Sequence, residues 1–121
     1  MSALAWLGVA LLGGIASVAR FELDRVVQLR IGGEFPFGTL VVNTVGSFAL
    51  GVLTGLGATD DTAVLAGTAT LGSFTTFSTW MLETERLGED GESAYSAANI
   101  AVSIACGLCA AGAGWALGAA L

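Results

Sequence analysis

Histidine and lysine are both absent from this 121-residue chain, and proline and tyrosine occur once each. Without histidine, imidazole acid–base chemistry and His-ligated metal centres are excluded. The only basic side chains are Arg20, Arg25, Arg30 and Arg86, against ten acidic residues, so the formal net charge is −6. No basic cluster exists to hold nucleic acid. The two cysteines, Cys106 and Cys109, stand three apart in an apolar stretch with no further thiol or imidazole to complete a metal or redox centre. They read as small packing residues.

What the chain has in abundance is apolar surface. Hydrophobic residues make up 55% and the mean hydropathy is +0.81, beyond an ordinary soluble domain and within the membrane class. The length allows one domain. Most charges fall between four apolar segments. The pattern predicts an all-α membrane protein with helices over about residues 3–27, 36–57, 62–87 and 93–121. Each is long enough for a hydrocarbon core of about 30 Å at about 1.5 Å per residue. The first segment starts without a basic n-region or a persuasive cleavage site, so it is expected to be a retained helix and not a signal peptide.

Two segments carry matching polar stripes. In the second, Thr39, Asn43 and Ser47 recur every four residues, and Gly51 and Gly55 continue the row. In the fourth, Tyr95, Asn99, Ser103 and Gly107 do the same, with Gly114 and Gly118 as a further small-residue pair. Such rows share one helix face. An amide in hydrocarbon must find partners, so Asn43 is either interhelical glue or the lining of a wet cavity. Arg20, at the inner end of the first segment, is either a snorkelling anchor or a cation at the mouth of an anion path.

The third segment departs most from a membrane helix. From Leu71 to Trp80 it reads Leu-Gly-Ser-Phe-Thr-Thr-Phe-Ser-Thr-Trp, alternating hydroxyls with aromatic rings. Gly72 weakens a helix, and Thr75 and Thr76 can bond back to the main chain. A break near Gly72 to Thr75 is therefore expected. The carbonyls it frees need water, another chain or a cation.

No acidic residue lies mid-segment, which argues against a proton-coupled four-helix multidrug-type transporter. Ser78 has no His or Lys base near it, which argues against a hydrolase. A scaffold in which the stripes are only glue leaves the clustering of hydroxyls and rings unexplained. Amide N–H groups, hydroxyls and ring edges all present positive partial charge, a set that suits a small hard anion.

These residues carry a resemblance. Gly-Gly-Ile-Ala-Ser-Val-Ala-Arg (13–20), Gly-Thr-Leu-Val-Val-Asn-Thr-Val-Gly-Ser-Phe (38–48) and Gly-Ser-Phe-Thr-Thr-Phe-Ser-Thr-Trp (72–80), followed by Glu83, resemble the Fluc (CrcB) family of fluoride channels. The resemblance implies passive fluoride export by an antiparallel, dual-topology dimer in the cell membrane, with two pores and a structural Na⁺ between the subunits. It implies Na⁺ on the main-chain carbonyls of Gly72 and Thr75. It implies a fluoride path past Asn43, Phe77, Ser78, Thr79, Trp80 and Glu83, with Tyr95, Asn99 and Ser103 from the fourth segment and Arg20 at a vestibule. Two positions depart from the family: Trp80 stands where Phe is usual, and Asn99 where Ser is usual. With four crossings, all four arginines lie on one side of the membrane and none on the other. That bias sets one orientation, so the second subunit is expected to be an identical chain or an oppositely oriented paralogue.

Overall fold

A computed structural model describes all of residues 1–121, and its ordered elements are all helical. Helix α1 runs from Ala3 to Ile31, with the Ser2 hydroxyl accepting the Ala5 N–H at 3.0 Å. It outlasts the expected segment, 3–27, by about a turn. The helix carries the Glu22–Arg25 ion pair at 2.8 Å in its last third and stops at Gly32 and Gly33, both at positive φ. Such backbone is costly for any residue but glycine. Helix α2 spans Phe37–Gly55 and follows Pro36 directly. Its start is held by Gln28 of α1, whose Oε1 accepts the Gly38 N–H at 3.1 Å while Nε2 donates to the carbonyls of Gly33 and Phe35.

The third segment is subdivided. A short α3 (Asp60–Thr62) leads into a nine-residue π-helix (Ala63–Leu71), then α4 (Gly72–Phe74), a non-helical step at Thr75–Phe77, and α5 (Ser78–Glu89). The wider π-helical winding replaces the ordinary helix expected over residues 63–69. Thr70 supports it by donating its hydroxyl five residues back, to the Leu65 carbonyl, at 2.7 Å. Helix α6 spans Ser93–Ala120.

Three helices, α1, α2 and α6, are long and apolar enough to cross a membrane unaided. That the interrupted segment is the remaining crossing follows from packing. Gly51 meets the main chain of Ala111, Gly55 that of Trp115, Gly114 that of Phe48, and Gly118 that of Val52. The register rises together in both helices, so α2 and α6 run parallel. The chain between them must therefore return across the same thickness. At each of these four glycines a built β-carbon would overlap a carbonyl oxygen of the facing helix. The two stripes of small residues thus meet each other, which is how helices associate where no hydrophobic force separates them from lipid.

The α1–α2 and α5–α6 connections share one end. Glu92 sits beside Glu34 there: a carboxyl–carboxyl hydrogen bond, with the nearby charges of Glu92 and Asp90, holds Glu34 above its ordinary pKa. Arg25, Arg30 and Arg86 lie towards that end, and Arg20 is further down α1, 11 residues before its last residue. The outer faces stay apolar: Leu4, Leu7, Ile15, Phe21, Leu108 and Trp115 are all exposed, as lipid-facing or partner-facing surface requires.

Candidate functional site

The break in the third segment is built around Asn43. The side-chain Nδ2 of Asn43 donates to the Thr76 carbonyl at 2.9 Å, and the Thr76 N–H donates to its Oδ1 at 2.8 Å. One carboxamide thus satisfies both main-chain groups of a residue that has left the helix. One turn along, Gly46 leaves room for the Thr75 methyl group, against which a β-carbon would collide. Thr75 itself is extended, with φ −86° and ψ 161°, so the helix departs at the far end of the expected interval. The Thr76 hydroxyl then accepts the Thr79 N–H at 3.2 Å and starts α5, as an N-cap does.

This rearrangement strips carbonyls of their usual donors. The Thr76 N–H is taken by Asn43, so it does not reach the Gly72 carbonyl four residues back. The Thr79 N–H is taken by the Thr76 hydroxyl, so it does not reach the Thr75 carbonyl. Neither the Gly72 nor the Thr75 carbonyl accepts any hydrogen bond within the chain. Uncharged oxygen donors of this kind suit a hard cation and offer nothing to a soft one. The residues present fit the Na⁺ ligand set that the resemblance implies.

A cavity of about 800 Å³ opens beside the break. It brings together Asn43, Gly72, Thr75, Phe77, Trp80 and Ser103 of the residues singled out in the sequence. Asn43 uses one of its two amide protons on Thr76, so one N–H remains. Phe77 is 70% exposed, and its ring meets Trp80 edge-to-face, centroids 5.6 Å apart and planes at 81°.

The other singled-out residues lie outside that cavity. Ser78 is exposed and Thr79 half-buried on α5. Glu83, one turn further, is half-buried and accepts a hydrogen bond from the Thr39 hydroxyl at 2.5 Å; Thr39 is almost fully enclosed. Tyr95 is partly exposed at the loop end and stacks edge-on against Phe35, centroids 5.9 Å apart. Arg20 is half-buried, one turn before Asp24 on α1.

Asn99 lies away from the cavity, in the α5–α6 contact. It is fully buried, its Nδ2 donating to Thr84 Oγ1 at 2.9 Å and to the Trp80 carbonyl at 3.4 Å. The Trp80 indole N–H is also committed, donating to the Asn99 carbonyl at 3.0 Å. Trp80 therefore offers the cavity its ring and not an extra N–H donor.

Four partners in this network escape a reading by stripe alone: Gln28, Thr76, Thr84 and Ser96. Ser96 donates to the Thr84 carbonyl at 2.8 Å, and Thr84 to the Trp80 carbonyl at 2.8 Å. Thr84 and Asn99 face each other across α5 and α6, yet nothing in either local sequence announces the pairing.

The Thr39–Glu83 contact has a measurable consequence. Valine at position 39 keeps the shape and removes the donor to a half-buried carboxyl. Hydrogen bonds to charged groups contribute about 1.5–3 kcal/mol. Thr39→Val is expected to lower the unfolding midpoint in detergent, and Glu83→Gln in the same background to recover part of the loss.

Compared with known proteins, residues 7–115 match the family described as CrcB-like protein, Camphor Resistance (CrcB). A "Fluoride-specific ion channel FluC 2" of Mycobacterium tuberculosis (strain ATCC 25618 / H37Rv) is 56% identical over 106 residues, covering 88% of this chain and 84% of that protein. A protein of the same name from Haloarcula marismortui is 45% identical over 103 residues, covering 85% and 84%. A "Fluoride-specific ion channel FluC 1" of Streptomyces avermitilis is 42% identical over 113 residues, covering 90% and 91%.

Proposed function

Because this chain belongs to the CrcB family and is a multi-pass membrane protein, we propose that it is a fluoride-selective channel giving passive fluoride export down the electrochemical gradient. The observation that carries this reading is the cavity that gathers Asn43, Phe77, Trp80 and Ser103 beside the broken segment. An amide N–H, two aromatic rings and a hydroxyl replace the hydration shell of a small anion with partial positive charges. No full positive charge is among them, so the ion is held weakly enough to leave. Ser78, Thr79 and Glu83 continue the path along α5. Arg20 draws anions towards the mouth by its charge, and Tyr95 stands at the same end.

The carbonyls of Gly72 and Thr75 would hold the structural Na⁺, two oxygens from each subunit. When bound, the ion supplies fixed positive charge at the subunit contact and satisfies oxygens that lipid leaves bare. The second subunit covers the open side of the cavity, where Phe77 projects. Antiparallel pairing with that subunit fits a chain whose own half of the site is open.

Orientation bears on which chain the partner is. Arginines towards one end and none at the other favour a single insertion direction with both termini outside. The antiparallel partner is then an oppositely oriented paralogue. Proteoliposomes containing this chain alone test both points, with a fluoride electrode and chloride as control. Fluoride efflux that ignores a proton gradient is expected once an antiparallel pair is present. Robust efflux from this chain alone overturns the need for a paralogue. Drug-dependent proton movement without fluoride flux overturns the channel.

A further inference from the structure

Trp80 and Asn99 are bonded reciprocally. The side chain of each donates to the main-chain carbonyl of the other, and Thr84 closes the group by accepting from Asn99 and donating to Trp80. Asn99 is fully buried between α5 and α6 and absent from the cavity lining. Its Oδ1 has no partner. An amide that leaves a buried acceptor unpaired is retained for its donors. Both N–H groups are in use, on Thr84 Oγ1 and the Trp80 carbonyl. A serine has one donor and reaches less far, so it cannot serve both.

We propose that Asn99 is a positioning residue that acts on the ion path only through Trp80. It fixes the spacing and register of α5 against α6 so that the indole N–H meets the Asn99 carbonyl. The indole is thereby held with its ring against Phe77. A phenylalanine at position 80 has no N–H to anchor, and its ring orientation rests on packing alone. The two residues form one unit, in which each side chain is tied to the main chain of the other and so depends on the same α5–α6 register. This inference rests on the channel reading for its functional half and on the hydrogen bonds for its structural half.

The test separates the two halves. In a Trp6→Phe/Trp115→Phe background, Trp80 is the sole indole and reports its own mobility by fluorescence anisotropy. Asn99→Ala is expected to lower that anisotropy, and Asn99→Ser, which keeps one donor and is the milder change for folding, to lower it less. Unchanged anisotropy in both folded variants overturns the positioning role. For fluoride efflux, Asn99→Ala is expected to change the rate roughly tenfold when Trp80 is present, the equivalent of one hydrogen bond. In a Trp80→Phe background the same substitution is expected to change it less than about twofold, because the two act as one unit. An equal change in both backgrounds means that Asn99 meets the ion directly and overturns the proposal. Absence of fluoride efflux from the parent chain assembled in an antiparallel pair defeats the channel reading instead, and the anisotropy then decides the positioning alone.

Discussion

Alanine at Gly114 is expected to destabilise the protein severely, whereas alanine at Gly112, two residues away on the same helix, is expected to stabilise it. The opposite signs come from the parallel α2–α6 contact. A β-carbon at Gly114 would overlap the Phe48 carbonyl and crowd the Val52 amide, both of them main chain that cannot swing aside. At Gly112 nothing lies within 4 Å. There the substitution gains the helix propensity of alanine over glycine, about 1 kcal/mol in a helix interior. At Gly114 the helices must separate, and overpacking of this kind costs about 1–3 kcal/mol or more. The strain spreads to Gly51, Gly55 and Gly118, which depend on the same separation. Unfolding midpoints in detergent, with recovery of monodisperse protein, check the pair. Equal midpoints for the two variants would mean that α2 and α6 do not approach this closely.

Removing the Asn43 carboxamide is expected to lower transport sharply while leaving the helices largely formed. In Asn43→Ala the Thr76 N–H and carbonyl both lose their partners, each unsatisfied group costing about 1–3 kcal/mol when water cannot reach it. The break then has no fixed geometry, and the cavity loses its amide donor. Asn43→Asp keeps an acceptor for the Thr76 N–H but sets a carboxylate oxygen against the Thr76 carbonyl and places negative charge beside the proposed anion path. Both variants are expected to lower fluoride efflux on the order of a hundredfold, which corresponds to about 2.8 kcal/mol. Helical content by circular dichroism should stay near the parent value. Wild-type efflux from the alanine variant would show that the junction is held by something else.

Much of this architecture is legible in the sequence because periodicity reports faces. The four apolar segments, the row from Thr39 to Gly55 and the Gly114/Gly118 pair are all visible as spacing, and the structure joins the two small-residue rows. Composition predicts the helix interruption between Gly72 and Thr75, and it falls at Thr75–Phe77, because Gly72 remains helical while Asn43 captures Thr76. Spacing does not name the neighbour a face will meet. It marks Asn43 as costly without revealing that its partner is the main chain of Thr76, and it aligns Asn99 with Tyr95 and Ser103 although Asn99 turns into the α5–α6 contact. The π-helix over residues 63–71 has no signal in an ordinary apolar run. Gln28 was invisible for a different reason: its partner at Gly38 lies ten residues on, across a turn.

Gln28, Asn43 and Asn99 sit at the three places where regular structure needs outside help: the start of α2, the break in the third segment and the α5–α6 contact. All three are carboxamides, and a carboxamide neither gains nor loses a proton in the physiological range. These three junctions are therefore blind to acidity. Their hydrogen bonds keep the same donors and acceptors when the solution on one side of the membrane turns acid, which leaves carboxyl contacts such as Thr39–Glu83 as the places where acidity can act.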